Sequence, residues 1–139
     1  MCGICGFVDL SDHYDSLSRQ KIISEMTNTL IHRGPDDAGY WHDRTKGVSF
    51  GHRRLSVVDL SANGAQPMLS KSGRYVIVFN GEIYNHLSLR EELIKSGVTI
   101  SWRGYSDTET LLACIDKWGV KKSFQKSIGM FAVAILDIE

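Results

Sequence analysis

The sequence predicts an α+β protein, with a sheet or two sheets and helices packed outside them. Three observations predict it. Apolar residues recur at helical spacing in three separate stretches. The β-prone segments between them are short and bounded by turn residues. Lys71-Ser72-Gly73 turns one pair of these segments into a hairpin, and hairpins imply antiparallel pairing.

The elements follow in order. Residues 3–10 (GICGFVDL) read as a buried strand ending in a polar Ser-Asp turn. A helix begins near Asp15 or Ser16 and runs to about Ile31, with Leu17, Ile22, Ile23, Met26, Leu30 and Ile31 at helical spacing. His32-Arg33-Gly34-Pro35 stops it: cations suit the carbonyl end, Gly accepts the left-handed cap, and Pro cannot continue the ladder. Short strands are expected at 38–42, 48–53 and 55–59, and then at 74–79 after the loop SANGAQPM and the hairpin turn. A helix over 86–96 stops at Gly97, and VTIS (98–101) reads as a strand. Ser106-Asp107-Thr108-Glu109 has capping-box spacing ahead of Leu111, Leu112, Ile115 and Trp118. The final stretch MFAVAILDIE is a strongly apolar strand with neither a turn nor a partner after it, the expected look of a fragment of a longer protein.

Composition narrows the function classes. At 139 residues the chain has the length of one domain, and 42% hydrophobic with 23% charged residues is an ordinary globular balance. Sixteen basic residues offset sixteen acidic ones, which argues against nucleic acid as a partner. The apolar start has no cationic lead-in and is broken by Asp9 and Asp12, so neither a signal peptide nor a membrane span is expected. Three cysteines without a secretion signal point to reduced thiols and a cytoplasmic location.

The start itself, MCGICGF, carries a C-x-x-C spacing with three readings. A zinc site needs about four ligands, so Cys114 and the scattered His13, His32, His42, His52 and His86 would have to converge. A redox pair belongs at a helix N-terminus, whereas this pair lies inside a strand pattern. Two small buried thiols are the usual fate of free cysteine. Position adds a catalytic reading: once Met1 is trimmed, Cys2 becomes the chain terminus, and its α-amino group lies one short bridge from its own thiol. Nucleophile and base then share one residue, with an amine pKa of about 7.7–8.0 and a thiol near 8.5.

Several motifs stand behind that cysteine: C-G-I-x-G at the start, H-R-G-P-D (32–36), G-H-R-R-L-S-V-V-D (51–59), G-A-Q-P-M (64–68), N-G-E-I-Y-N (80–85) and Y-S-D-T-E (105–109). Together, and in this order, they resemble the glutamine amidotransferases of the N-terminal-nucleophile type, and more narrowly the glutaminase domain of glutamine-hydrolysing asparagine synthetase. The H-T-R-W-A-T-H-G block of hexose-phosphate amidotransferases is absent. The resemblance implies an αββα sandwich of mainly antiparallel sheets, truncated at its C-terminal end. It implies one incomplete glutaminase domain over residues 1–139 and a synthetase domain outside this chain.

The implied reaction is hydrolysis of L-glutamine to L-glutamate and ammonia through a Cys2 thioester. By the same resemblance, the Asn80 side-chain amide and the Gly81 backbone N–H hold the oxyanion, at about 3–4 kcal/mol per donor. Arg54 grips the substrate α-carboxylate as a planar fork, Glu82 and Asp107 take the α-ammonium, and Leu55 and Val57 add backbone hydrogen bonds. No metal or organic cofactor is expected for this step, while ATP and Mg belong to the synthetase domain. The expected partners are L-glutamine and that C-terminal domain, and the final strand leaves a homodimer open.

Single motifs also have plainer readings. Asn80-Gly81 after an alternating strand is the commonest hairpin-turn dipeptide, and taken alone the turn is the stronger reading. Asp107 fits a helix N-cap, Arg53-Arg54 a solvated pair, and His32–Pro35 a helix stop. Two rival functions remain beside the enzyme: a catalytically silent glutamine-binding or interaction fragment, and a C-x-x-C metal or redox module.

Overall fold

The computed structural model describes residues 2–11, 13–43, 45–56 and 61–139. Among these, the chain runs β1 (Gly3–Val8), α1 (Ser16–Thr29), β2 (Asp37–His42), β3 (Val48–Arg54), β4 (Met68–Leu69), β5 (Tyr75–Ile83), α2 (His86–Lys95), α3 (Asp107–Trp118), α4 (Val120–Lys126) and β6 (Gly129–Asp137). Two antiparallel sheets form, ordered β1-β3-β2 and β4-β5-β6. No helix among the described residues is long and apolar enough to cross a membrane.

The period of two along each strand builds the layers. Even-numbered Val48 and Phe50 of β3 meet Val76 and Val78 of β5, with Ile4, Trp41, Ala134 and Leu136 beside them, so the two sheets face each other. Odd-numbered Tyr75, Ile77 and Phe79 of β5 turn the other way and pack on Leu89 and Leu93 of α2 and on Leu111, Leu112 and Ile115 of α3. Fully burying such side chains stabilises the fold by about 1.5–3 kcal/mol each. On the far side α1 lies over the first sheet through Arg19, Ile23 and Thr27, four residues apart. It lies close because Gly51 has no side chain: a Cβ there would come within 1.9 Å of Thr27 Oγ1. Helix, sheet, sheet and helices make the αββα order.

Local chemistry explains most boundaries. Asp15 caps α1 by accepting from Ser18 N–H at 2.8 Å, and Ser106 caps α3 by accepting from Glu109 N–H at 3.2 Å. The capping box is only half closed. Glu109 instead accepts from the N–H groups of Arg103 (2.8 Å) and Gly104 (3.1 Å), pinning the loop before α3. Gly73, at φ 80°, turns the β4–β5 hairpin as expected.

Several expectations fail for tertiary reasons. Asn80-Gly81 is no turn: β5 runs straight through it, with Asn80 opposite Ala132 and Gly81 opposite Phe131 of β6. The final strand pairs with the earlier β5 along its whole length and starts at Gly129, while its other side is the sheet's edge among the described residues, as expected. Helix α1 stops at Leu30, four residues before Gly34. Gly34 is small because it abuts β3, where a Cβ would lie 2.5 Å from the Arg53 carbonyl group. Arg53 and Arg54 are buried, not solvated. VTIS is irregular, as are Leu55 and Ser56, while positions 57–59 of that expected strand lie outside the described residues.

Candidate active site

Strand alternation splits the two arginines of G-H-R-R. Arg53 points toward α1 and donates from Nε to the Gly34 carbonyl at 2.8 Å, while Asp36 accepts from Ser56 N–H at 2.7 Å. H-R-G-P-D is thus fastened to β3 as a structural loop. Arg54 points the other way, toward the second sheet, with Nη1 donating to the Ser61 carbonyl at 2.8 Å. Cys2, which precedes β1, lies at the same end. Its Sγ receives Leu55 N–H at 3.4 Å and donates to the Leu55 carbonyl at 3.7 Å, which fixes the sulfur.

The same alternation answers the C-x-x-C question. Three residues along a strand reverse the face, and Cys5 Sγ meets Thr27 Oγ1 of α1 at 3.4 Å, under the sheet. The two sulfurs address different layers and form no pair. Among the described residues no cluster of three or more His, Cys, Asp or Glu is placed to hold a metal ion. Cys114 is sealed inside the helix-side core, where burial pushes its thiol up to about 12.

Cys2, Arg54 and Leu55 line one cleft of about 250 Å³ at the end of the sheet–sheet gap, together with Asn80, Gly81, Glu82 and Asp107. Val57, also singled out in the sequence, lies outside the described residues. Strand β5 supplies the opposite wall. Beyond Ile77 it has outrun β4, whose pairing stops at Met68↔Ile77, so its free edge takes side-chain partners instead. Gln66 Oε1 accepts from Phe79 N–H at 2.6 Å, and Asp107 Oδ2 accepts from Ile83 N–H at 2.9 Å. Backbone N–H groups alternate between strand edges, so Gly81, midway between these two, aims its N–H along the same edge into the cleft. A side chain at 81 is excluded by the backbone behind it: a Cβ would sit 2.2 Å from the Met130 carbonyl oxygen and 2.5 Å from Phe131 Cα.

Asn80, on the face toward the first sheet, has a buried Oδ1 with no partner among the described residues. Asp107 is the first residue of α3, with Oδ1 accepting from Thr108 N–H at 2.8 Å, and the cap itself is Ser106. Arg90 of α2 steadies this helix start: its guanidinium donates to the carbonyls of Gly104 and Ser106 at 3.1 Å and stacks 3.9 Å from the Trp102 ring. Glu82 stands exposed at the rim.

Two lining residues inside quoted motifs were not assigned to this site from sequence: Gln66, and His52, which was weighed only as a zinc ligand. Gln66 of G-A-Q-P-M bridges β5 to α3, with Nε2 donating to Thr108 Oγ1 at 3.3 Å. His52 of G-H-R-R is 1% exposed, and burial depresses its pKa to about 4, so the ring is neutral. The evenly spaced 50-52-54 face of β3 was the available signal for His52.

Comparisons with known proteins bear on the family and the fold. A family model described as a glutamine amidotransferase domain matches residues 1–139. Asparagine synthetase [glutamine-hydrolyzing] 1 of Bacillus subtilis is 42% identical over 135 residues, covering 97% of this chain and 20% of the relative. Asparagine synthetase B of Escherichia coli is 36% identical, covering 100% and 24%. The chain thus spans about a fifth of the length of these relatives. A solved glutamine phosphoribosylpyrophosphate amidotransferase from B. subtilis matches with TM-score 0.53 and 24% identity, over 68% of this chain and 22% of that one. That likeness speaks for the fold, the αββα N-terminal-nucleophile type. By sequence along its whole length, with the fold in agreement, this chain belongs to the glutamine amidotransferase domain family.

Proposed function

We propose that this domain hydrolyses L-glutamine to L-glutamate and ammonia through a thioester on Cys2. One observation supports the reading above others: a sulfur, an edge-facing backbone N–H, an asparagine amide, a buried guanidinium and a helix-start carboxylate converge on one cleft from four separated stretches of chain. With Met1 removed, the freed amine takes the thiol proton and later returns it to the departing ammonia. Attack by Sγ puts negative charge on the carboxamide oxygen, which Asn80 Nδ2 and Gly81 N–H receive. Arg54 takes the α-carboxylate, and Asp107 with Glu82 takes the α-ammonium. Leu55 contributes through its backbone, and the same is proposed for Val57. The route needs no metal or organic cofactor.

For the whole protein we propose that the ammonia is passed to an asparagine-forming synthetase domain, as the names of the relatives suggest. The test uses a diazoketone analogue of glutamine on the Met1-trimmed, full-length protein. One label per chain is expected on Cys2, lost in Cys2→Ala and kept in Cys5→Ala, with ammonia release following the same pattern. Labelling that follows Cys5, or ammonia release surviving Cys2→Ala, would refute the reading. A Cys5→Ala variant that loses zinc would favour the metal module instead.

A further inference from the structure

Two buried polar atoms of cleft-lining residues have no hydrogen-bond partner among the described residues: His52 Nε2 and Asn80 Oδ1. A buried polar atom without a partner is rare and calls for an explanation, and of the five among the described residues these two belong to the cleft lining. His52 stands on β3 opposite Ile4 of β1 and two residues before Arg54, on the face that carries the cleft. Its ring lies against the backbone of Phe79, whose N–H is already given to Gln66, so the group it faces is the carbonyl. The ring therefore donates to the Phe79 carbonyl. Since Nε2 has no partner, the donor is Nδ1–H, and a neutral imidazole that gives Nδ1–H presents a bare lone pair at Nε2. The other tautomer would turn a ring lone pair toward the Phe79 carbonyl oxygen, acceptor against acceptor. Protonation is opposed by burial and by the Arg54 charge beside it, while Asp37 pulls weakly the other way.

Two acceptors without partners thus lie among the cleft residues, His52 Nε2 and Asn80 Oδ1, beside the donors Asn80 Nδ2 and Gly81 N–H. A primary carboxamide brings two N–H donors, whereas a carboxylate brings lone pairs and a negative charge. We infer that His52 is a specificity-determining contact, its Nε2 accepting an N–H of the substrate side-chain amide so that glutamine is retained and glutamate is rejected. This rests on the glutaminase reading. A cleft built in this way releases its own product: once the amide becomes a carboxylate, the acceptors face lone pairs and the complex loosens.

The experiment measures the dissociation constants of L-glutamine and L-glutamate by calorimetry, in the full-length, Met1-trimmed protein carrying Cys2→Ala to stop turnover. His52→Asn keeps a donor toward Phe79 but ends short of the Nε2 position, and His52→Gln reaches it with a carbonyl oxygen. His52→Asn should lower the glutamine-over-glutamate preference at least tenfold, with glutamate affinity changed less than twofold. His52→Gln should restore most of the preference. Equal weakening of both ligands in His52→Asn, or an unchanged preference, overturns the inference and marks His52 as a packing residue. If the Cys2→Ala parent itself binds no glutamine, the glutaminase reading falls first, which separates the two failures.

Discussion

Gly81→Ala tests whether the site depends on a backbone position or merely on residue type. An added Cβ would lie 2.2 Å from the Met130 carbonyl oxygen and 2.5 Å from Phe131 Cα. Ordinary contact begins at 3.4 Å, so β5 and β6 must part by about 1.2 Å at this point. Both obstacles are backbone atoms of a paired strand, and neither can rotate away. The displacement carries the Gly81 N–H about an ångström from its line into the cleft, which forfeits one oxyanion donor. Such a loss is worth about 2.7–4 kcal/mol, or roughly 10²- to 10³-fold in kcat. Arg54 and the helix start at Asp107 belong to other elements, so KM for glutamine should move less than about fivefold. Overpacking adds an expected destabilisation of about 1–3 kcal/mol, read as a lower urea midpoint. The control is Gly73→Ala, which meets nothing within 4 Å but keeps φ at +80°. It should cost about 1 kcal/mol of stability and leave kcat alone. A Gly81→Ala enzyme with kcat within twofold of the parent would refute the reasoning.

Three further outcomes follow from the same geometry. Arg54→Lys should raise KM for glutamine by roughly 10- to 100-fold with a smaller fall in kcat, because an ammonium cannot hold Ser61 and a carboxylate as a fork does; unchanged glutamine affinity would remove Arg54 from the site. Gly34→Ala should destabilise by about 1–3 kcal/mol in urea titration, since its Cβ would strike the Arg53 backbone at 2.5 Å, and a neutral result would restore the cap reading. Asp9 is held well below its ordinary 3.8, chiefly by the Ser11 hydroxyl and further by the N–H groups of Tyr14 and Ser11 and by Arg19, against opposing desolvation. A lowered folded value means that the contribution is present above about pH 4 and fades as pH falls through the folded value. The melting-temperature gap between parent and Asp9→Asn should therefore be constant near neutrality and shrink below about pH 4. A gap independent of pH would count against it.

Much of the layer order was legible in the sequence because side-chain alternation and helical spacing are local. The 3.6-residue pattern located α2 and α3, and the Lys71-Ser72-Gly73 turn located the β4–β5 hairpin. The α1 pattern gave the helix but not its buried face: Leu17 is 76% exposed while Arg19 and Thr27 are buried, because the sheet beneath is paved with Gly3, Cys5 and Gly51. Helix α4 went unseen, being about two turns of mostly polar residues set off by Gly119 at φ 79°. At the site, Cys2, Arg54, Asn80, Gly81 and Asp107 were named from motif resemblance, and the structure gathers them in one cleft. Gln66 escaped notice, and His52 was weighed only as a zinc ligand, since period-two spacing shows which face of a strand a polar residue is on but not that the face ends in a cleft.

The sequence by itself determined the strand periods, a helix start near Asp15 or Ser16, the capping-box spacing from Ser106, and the set of motifs behind an N-terminal cysteine. It could not decide whether Asn80-Gly81 turns the chain or passes straight on, because that depends on β6 arriving fifty residues later to pair with it. The motif resemblance named Cys2 and Arg54, but the strand pattern alone did not show why one thiol and one arginine face the cleft while Cys5 and Arg53 face α1. Those choices are made when β1 and β3 pair in a fixed register between α1 and the second sheet, for only then does a strand acquire an inside for each of its faces.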